Sequence, residues 1–228
     1  MSEYLDIGTP PIPVSVKRSA RARRFSLRIS NKTGAISLTV PRFAAMKEAV
    51  KFAQEQEGWM RKHLASQIQP EQVALGRRIL FDGQYCSIVA GQGRTARFED
   101  GHLFVPGPEV KVGAKLAAYF KTLARERLVG ASKHYAGLLG EDIGRVTLRD
   151  TRSRWGSCTS DGNLMYSWRL IMAPPSVQNY VAAHEVCHLI EMNHSVAYWD
   201  LVESIFPDYK AHRGWLKKNG TLLHRFEF

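Results

Sequence analysis

Two histidines and a glutamate occupy residues 184–188 in the pattern H-E-x-x-H, and a third histidine, His194, follows after five further residues. If residues 176–190 are helical, His184 and His188 lie one turn apart along the helix and about 40° apart around its axis. Their imidazoles can then bind the same metal ion, and Glu185 lies close enough to act on a water bound to that metal. Because the pattern supplies two nitrogen ligands and a base within two turns, it indicates a zinc hydrolase.

The residues around the motif favour a metal site over an amphipathic helix whose histidines are satisfied by their neighbours. Pro175 and Ser176 suit the first turn or cap of a helix. Apolar residues at helical spacing predict a buried helix over residues 177–192, with Asn193 at its end. Two histidines and a glutamate are costly to bury there without partners. A chain reversal would bring His194 back as a third ligand and leave a fourth position for water, as in catalytic zinc sites.

The composition is that of a soluble globular protein, with 44% hydrophobic and 23% charged residues. No apolar run approaches the roughly 18 residues that cross a bilayer, and the N-terminus lacks the features of a secretory signal. We therefore expect no membrane partner. The three cysteines are Cys86, Cys158 and Cys187; they are odd in number and form no C-x-x-C pair, which favours a reducing cytoplasm.

The net charge of +11 indicates that anionic partners are attracted to this protein. Part of the excess is a cluster near the N-terminus, and few aromatic residues interleave with it. The cluster can attract nucleic acid, nucleotides or acidic proteins, and the alternative is a solvated strand face. Its members are Lys17, Arg18, Arg21, Arg23, Arg24, Arg28 and Lys32.

The order of elements predicts an α+β fold, with a basic β-rich N-terminal module followed by a second α+β domain that contains the motif helix. We expect residues 1–13 to be a loose leader, residues 14–108 to form the N-terminal module with one helix, and residues 109–228 to form the second domain. The boundary is placed at Pro106-Gly107-Pro108. A helix over residues 112–139 then precedes two strands and the motif helix.

The second of those strands is the candidate substrate-binding element. An edge strand above a zinc helix can pair with an extended peptide and place its scissile carbonyl over the metal. Residues 164–169 alternate in polarity and could form that strand. The alternative is an ordinary core strand, since the same residues would also suit one.

Several segments together resemble the YgjP-like metal-dependent hydrolases, which are predicted metallopeptidases related to the SprT and WLM groups. The resemblance extends over nearly the whole chain and implies a zincin-like domain. It also implies zinc as cofactor, His184, His188 and His194 as ligands, and Glu185 as catalytic acid/base. The segments that carry it are residues 154–158, 168–171, 173–175, 184–188, 193–195, 198–199, 207–210 and 215–216.

Other residues are weaker candidates for the site. Arg154 or Arg152 could steady an oxyanion or an anionic substrate, although Arg154 could instead anchor the hairpin formed by the two predicted strands before the motif helix. Tyr198 or Tyr209 could donate to a tetrahedral intermediate, with core packing as the alternative for each. His212 could orient a ligand by a hydrogen bond, with surface exposure as the alternative.

The sequence therefore predicts a zinc-dependent hydrolase, and a metallopeptidase above all. The same centre could hydrolyse a phosphoanhydride, because the positive charge favours a nucleotide or a nucleic-acid-associated substrate. A non-enzymatic alternative is a nucleic-acid-binding protein with a structural metal, whose binding would fall steeply with salt.

Overall fold

The computed structural model describes residues 3–30, 33–65 and 69–228. Within them the chain forms a mixed α+β structure with six α-helices and 13 strands, so the predicted fold class is confirmed at this level. The chain divides into two compact units, residues 1–68 and 69–228. Among the described residues no helix is long and apolar enough to cross a membrane.

The first unit is a four-stranded sheet packed on two helices. The strands lie in the order β1-β2-β4-β3, with β2 and β4 parallel and the outer pairs antiparallel. β3 and β4 are consecutive antiparallel strands, and residues 31–32 between them lie outside the described residues. The elements are β1 (Glu3–Ile7), β2 (Ile12–Ser19), β3 (Ser26–Ile29), β4 (Ile36–Pro41), α1 (Met46–Glu55) and α2 (Glu57–Ala65).

The basic cluster lies in this unit, and its described members are all exposed. Arg18 has a structural role, because its Nη1 donates to the carbonyls of Arg42 and Ala44, each at 3.0 Å. Lys32 lies outside the described residues. A partner for this cluster stays a prediction.

Two boundaries differ from those expected. Residues 3–7 are not part of a loose leader, because β1 pairs with β2 and buries Ile7 and Ile12; Pro10 and Pro11 lie in the turn between these strands. The division between units falls after residue 68 rather than at residue 108. Strands that precede residue 108 share one core with the helix that follows it, so Ile88 and Leu103 pack in the same cluster as Leu116.

The second unit contains three sheets and four α-helices. A four-stranded sheet has the order β6-β7-β9-β8, β5 pairs with β13, and a three-stranded sheet has the order β10-β12-β11. The strands are β5 (Glu71–Gln72), β6 (Arg78–Phe81), β7 (Gln84–Gly91), β8 (Arg97–Glu99), β9 (His102–Pro106), β10 (Val146–Arg149), β11 (Gly156–Cys158), β12 (Leu164–Ser167) and β13 (Phe226–Glu227). The helices are α3 (Val112–Leu139), α4 (Pro175–Cys187), α5 (Val196–Ile205) and α6 (Tyr209–Asn219).

Helix α3 is the central support of this unit. It ends where the sequence predicts, because Gly140 adopts the left-handed conformation, with φ of 70°, that closes many helices. Its buried residues include Leu116, Phe120 and Leu128. Ser132 bonds to the hydroxyl of Tyr166 at 2.9 Å inside the core, which fixes β12 against α3.

Strand β12 is not the expected edge strand. It begins at Leu164 as predicted but becomes a 3-10 helix at Trp168–Met172, and it pairs on both sides, with β10 and with β11. Alternation in the sequence reveals which side chains are buried but not which neighbours bind the backbone. The strand that lies at the sheet edge beside α4 is therefore β11.

Arg169 ties the segments around this sheet together. Its side chain is 5% exposed and donates to both carboxylate oxygens of Asp150, at 2.6 and 3.1 Å. The same guanidinium donates to the carbonyls of Leu223 and Phe226, at 3.0 and 2.9 Å. Burial raises the pKa of Asp150, but the hydrogen bond and charge of Arg169 lower it further, to below its usual range.

We expect Arg169→Met to destabilise the second unit by about 2–4 kcal/mol, because it leaves two buried carbonyls without their donor and a half-exposed carboxylate without its partner. Urea unfolding followed by tryptophan fluorescence measures the change. Arg97→Met is the matched control, since Arg97 pairs with Glu99 on the surface and both side chains are at least half exposed; its effect should stay below about 1 kcal/mol. Equal effects of the two substitutions would contradict the role given to Arg169.

Candidate active site

Helix α4 positions His184, Glu185 and His188. Pro174 is its N-cap and Pro175 its first residue, where a missing N–H costs nothing. The helix ends earlier than predicted, at Cys187, and His188 is its C-cap in right-handed conformation. The His188 N–H donates to the carbonyl of Glu185 at 3.3 Å, so the last turn tightens but keeps both histidines on one side. Their ring centroids are 5.3 Å apart.

A short reversal returns the chain to the helix at His194. Asn193 helps to shape it, because its side-chain oxygen accepts from the Ser195 N–H at 3.0 Å. Ser195 in turn caps α5 by accepting from the Tyr198 N–H at 3.2 Å. His194 therefore lies directly before a helix start, and its Nε2 is 3.2 Å from Nε2 of His184.

The three imidazoles fit one metal ion. Their ligand atoms all lie within 4.8 Å of one another. Two nitrogens that bind the same tetrahedral zinc are about 3.3 Å apart, and the Nε2 atoms of His184 and His194 are separated by 3.2 Å. Nδ1 of His188 lies 2.9 Å from the carbonyl of Glu191, so it carries the proton and leaves Nε2 free to bind a metal.

The environment keeps His184 and His194 in the neutral form that metals bind. Burial, followed by the charges of His188 and His194, lowers the pKa of His184 to about 3. Burial and the charge of His188 also lower the pKa of His194. A neutral imidazole offers a lone pair without first losing a proton.

Glu185 is buried beside the ligands, with 6% of its surface exposed. Burial raises the pKa of its carboxyl to about 8, against the opposing charge of Arg154. The carboxylate lies against β11, where a Cβ atom on Gly156 would be 2.5 Å from both Cγ and Oε1 of Glu185. Only glycine allows the strand to approach the carboxylate this closely.

Tyr198 packs against His184 and His188 and holds them in position. Its side chain is fully buried, its hydroxyl donates to the carbonyl of His184 at 2.8 Å, and its ring stacks on that of His188 at 4.6 Å. Burial raises the pKa of Tyr198, so the hydroxyl keeps its proton. This arrangement favours the alternative of core packing, with a positioning role for Tyr198, over donation to a tetrahedral intermediate.

The other weak candidates separate into two groups. Arg154 lines the cleft in front of the histidines, as its predicted role requires. Tyr209, His212 and Arg152 are not among the lining residues: Tyr209 stacks on Trp199 at 5.2 Å, and Nδ1 of His212 bonds to the carbonyl of Asp208 at 2.9 Å.

Sequence reasoning missed Arg213. Its guanidinium lies over the ring of Trp199, 4.5 Å from the centroid, and Trp199 stacks on His194 at 5.6 Å. Arg213 and Lys217 are four residues apart on α6 and both line the cleft. The spacing of Tyr209, Arg213 and Lys217 along one side of a helix was the available signal.

The cleft has a volume of about 760 Å³ and is bounded by α4, β11 and α6. Three cationic side chains line it, Arg154, Arg213 and Lys217, and Glu185 is the one carboxylate in its lining. Cys158 also faces it. Burial and the charge of Glu185 raise the pKa of that thiol to about 11, which keeps it protonated. The arrangement combines three clustered imidazoles that could hold a metal, one buried carboxyl group and an electropositive wall.

We expect Gly156→Ala to abolish turnover, if the chain is a hydrolase, while metal binding persists, because the new methyl group displaces Glu185 and none of the histidines. Gly130→Ala in α3 is the matched control, since its added Cβ would meet nothing within 4 Å. Metal content and substrate hydrolysis are measured on both variants. Wild-type turnover in Gly156→Ala would show that the strand does not constrain Glu185.

Comparison with known proteins agrees with this geometry. The sequence model of a family described as "YgjP-like, metallopeptidase domain" matches residues 23–219. No curated protein matches the chain. Among solved structures, the metallopeptidase zymogen of Pyrococcus abyssi abylysin aligns with 20% identity and a TM-score of 0.37, over 44% of this chain and 99% of that chain.

Proposed function

The chain belongs to the YgjP-like metallopeptidase family, and on this premise we propose that it is a zinc-dependent peptidase. His184, His188 and His194 would hold the metal, and Glu185 would act as general base and then general acid. The observation that carries the proposal is the meeting of three imidazoles beside a buried carboxylate. Three protein ligands leave one tetrahedral position open, which is typical of catalytic rather than structural zinc.

Zinc in this position would supply Lewis acidity, lowering the pKa of a water and polarising a peptide carbonyl. Glu185 accepts the proton of the attacking water on its carboxylate and later donates it to the leaving nitrogen. Its position suits both steps, because Glu185 lines the same cleft as the three imidazoles. Arg154 faces the same space and stabilises negative charge that develops on the carbonyl oxygen.

Strand β11 supports a peptide as the substrate. Ser167 N–H donates to the carbonyl of Trp155, and Thr159 N–H donates to that of Asn163. The alternate residues between them, Gly156 and Cys158, therefore direct their backbone groups away from β12. They lie at a sheet edge that lines the cleft, so an extended peptide could add there as a further strand.

A second candidate is hydrolysis of a phosphoanhydride, and the electropositive wall of the cleft is the observation that favours it. Arg154, Arg213 and Lys217 could bind the phosphates of a nucleotide. The free edge of β11 has no evident use in that reaction, so the peptidase remains the first proposal.

We expect Glu185→Gln to keep its zinc and lose about two to four orders of magnitude in turnover, because the amide can neither accept nor return the proton. His188→Ala should lose both zinc and turnover. Glu126→Gln is the control, since Glu126 is exposed on α3. Metal is measured by elemental analysis, and turnover by cleavage of a labelled unfolded protein and by phosphate release from nucleoside triphosphates.

The two readouts separate the candidates. Polypeptide cleavage that disappears in Glu185→Gln supports the peptidase, whereas phosphate release without cleavage supports the second candidate. Unchanged turnover in Glu185→Gln would remove this residue from the mechanism.

A further inference from the structure

The catalytic cleft continues beyond β11 onto the outer face of the three-stranded sheet. A second cavity of about 600 Å³ lies there and shares Ser153, Arg154 and Ser157 with the cleft. We call this cavity the basic groove. Its lining also includes Arg145, Thr147, Arg149, Thr151, Thr159 and Met165.

The strand pattern explains why this face is open. Along β10 the side chains of Val146 and Leu148 pack against the core, so Arg145, Thr147 and Arg149 project from the opposite face. The register places Thr147 and Ser157 on either side of Met165. The outer face of the sheet therefore carries arginines on β10, a methionine at its centre and hydroxyl groups towards β11.

The arginines of the groove have no partner within the described residues. Arg145, Arg149 and Arg154 form no side-chain hydrogen bond and no ion pair there, and no carboxylate lines the groove. A third cavity of about 370 Å³ adjoins it at Arg149 and adds Lys121 and Arg125. The one carboxylate in that cavity, Asp150, is already bound by Arg169. A row of cations that form no ion pair within the described residues thus leads away from the cleft.

We propose that the basic groove binds an acidic segment of the substrate polypeptide, on one side of the scissile bond. The proposal rests on the proposed peptidase function and names its substrate class. Side chains two residues apart on a strand are separated by about 7 Å, so Arg145, Thr147 and Arg149 match acidic side chains at alternate positions of an extended peptide. Hydroxyl groups of Thr147, Thr151 and Ser157 can bond to its backbone or carboxylates.

An acidic peptide fits the groove better than a nucleic acid does. Proteins that bind single-stranded nucleic acids combine a positively charged groove with aromatic side chains on which the bases stack, and no aromatic residue lines the basic groove. The groove also meets the cleft at β11, whose free edge suits a peptide backbone. Because β12 separates β11 from β10, a peptide that begins at that edge would reach the arginines by crossing the outer face of the sheet over Met165.

Binding is tested on the Glu185→Gln protein, which cannot turn the probe over. Two fluorescein-labelled ten-residue peptides are compared by anisotropy, one alternating Glu and Ser and one alternating Gln and Ser. We expect the acidic peptide to bind about tenfold more tightly at low salt and to lose this advantage as salt rises. Adding Arg145→Gln and Arg149→Gln should remove most of the preference.

Arg77→Gln with Arg94→Gln is the matched control, since both arginines are exposed and line none of these three cavities. This double substitution lowers the net charge by as much as Arg145→Gln with Arg149→Gln does. Loss of preference in this pair as well would mean that general charge, and not the groove, selects the peptide, and would overturn the proposal. Tighter binding of a ten-nucleotide oligothymidylate than of the acidic peptide, lost with Arg145 and Arg149, would also overturn it in favour of a nucleic acid.

Cleavage by the active protein separates this proposal from the peptidase proposal. Sites mapped in unfolded proteins should be enriched in Asp and Glu on one side, and the Arg145→Gln/Arg149→Gln variant should lose the enrichment. Cleavage without enrichment overturns the groove proposal and leaves the peptidase intact. Groove-dependent acidic-peptide binding in a protein that cleaves no polypeptide overturns the peptidase and leaves the groove as a binding site for acidic peptides.

Discussion

Three imidazoles can meet at one point only if α4 and α5 are held at a set distance, and the buried ring of Tyr198 sets that distance. Its hydroxyl bonds to the carbonyl of His184 and its ring stacks on His188, so one side chain contacts two of the three candidate ligands. Tyr198 also lies in the first turn of α5, the helix that begins shortly after His194. A catalytic site needs its groups held to within about 0.5 Å, and a hydrogen bond inside a packed interface provides such a limit.

A second constraint acts from the opposite side of the cleft, where β11 lies against Glu185. Gly156 makes this approach possible, and Trp155 beside it stacks on His224 at 5.1 Å. A Cβ atom on Gly220 would lie 3.0 Å from the Trp155 ring, so the C-terminal segment packs behind the wall of the cleft. Arg169 binds that segment to the 3-10 helix before α4. Residues distant in sequence therefore determine how deeply the carboxylate is buried, and hence its pKa.

The positive charge of the chain has a different distribution from the one its sequence suggests. The N-terminal cluster is the most conspicuous run of basic residues, yet it lies in the first unit, and Arg18 within it bonds to backbone carbonyls. The cations that surround the cleft come singly from β10, the loop after it and α6. Because few acidic residues accompany them, they raise the local concentration of anionic groups at the mouth of the site.

The sequence alone was enough to identify the motif helix, the end of α3 at Gly140 and the three histidines as candidate ligands, because helical spacing, capping residues and ligand spacing are local properties of the chain. It could not show that α4 ends at Cys187, that β12 is the central strand, or that the units divide after residue 68. Those outcomes depend on which distant segments pair and pack.

The same distinction applies to the site. Residue types and spacing were sufficient to select His184, His188, His194 and Glu185, because metal chemistry restricts the side chains that can serve. Only the tertiary structure decided that Tyr198 supports the ligands, that Arg213 joins the cleft and that three arginines form a groove beside it. Contacts between residues far apart in sequence leave no periodic signal, since each is produced by the packing of whole elements.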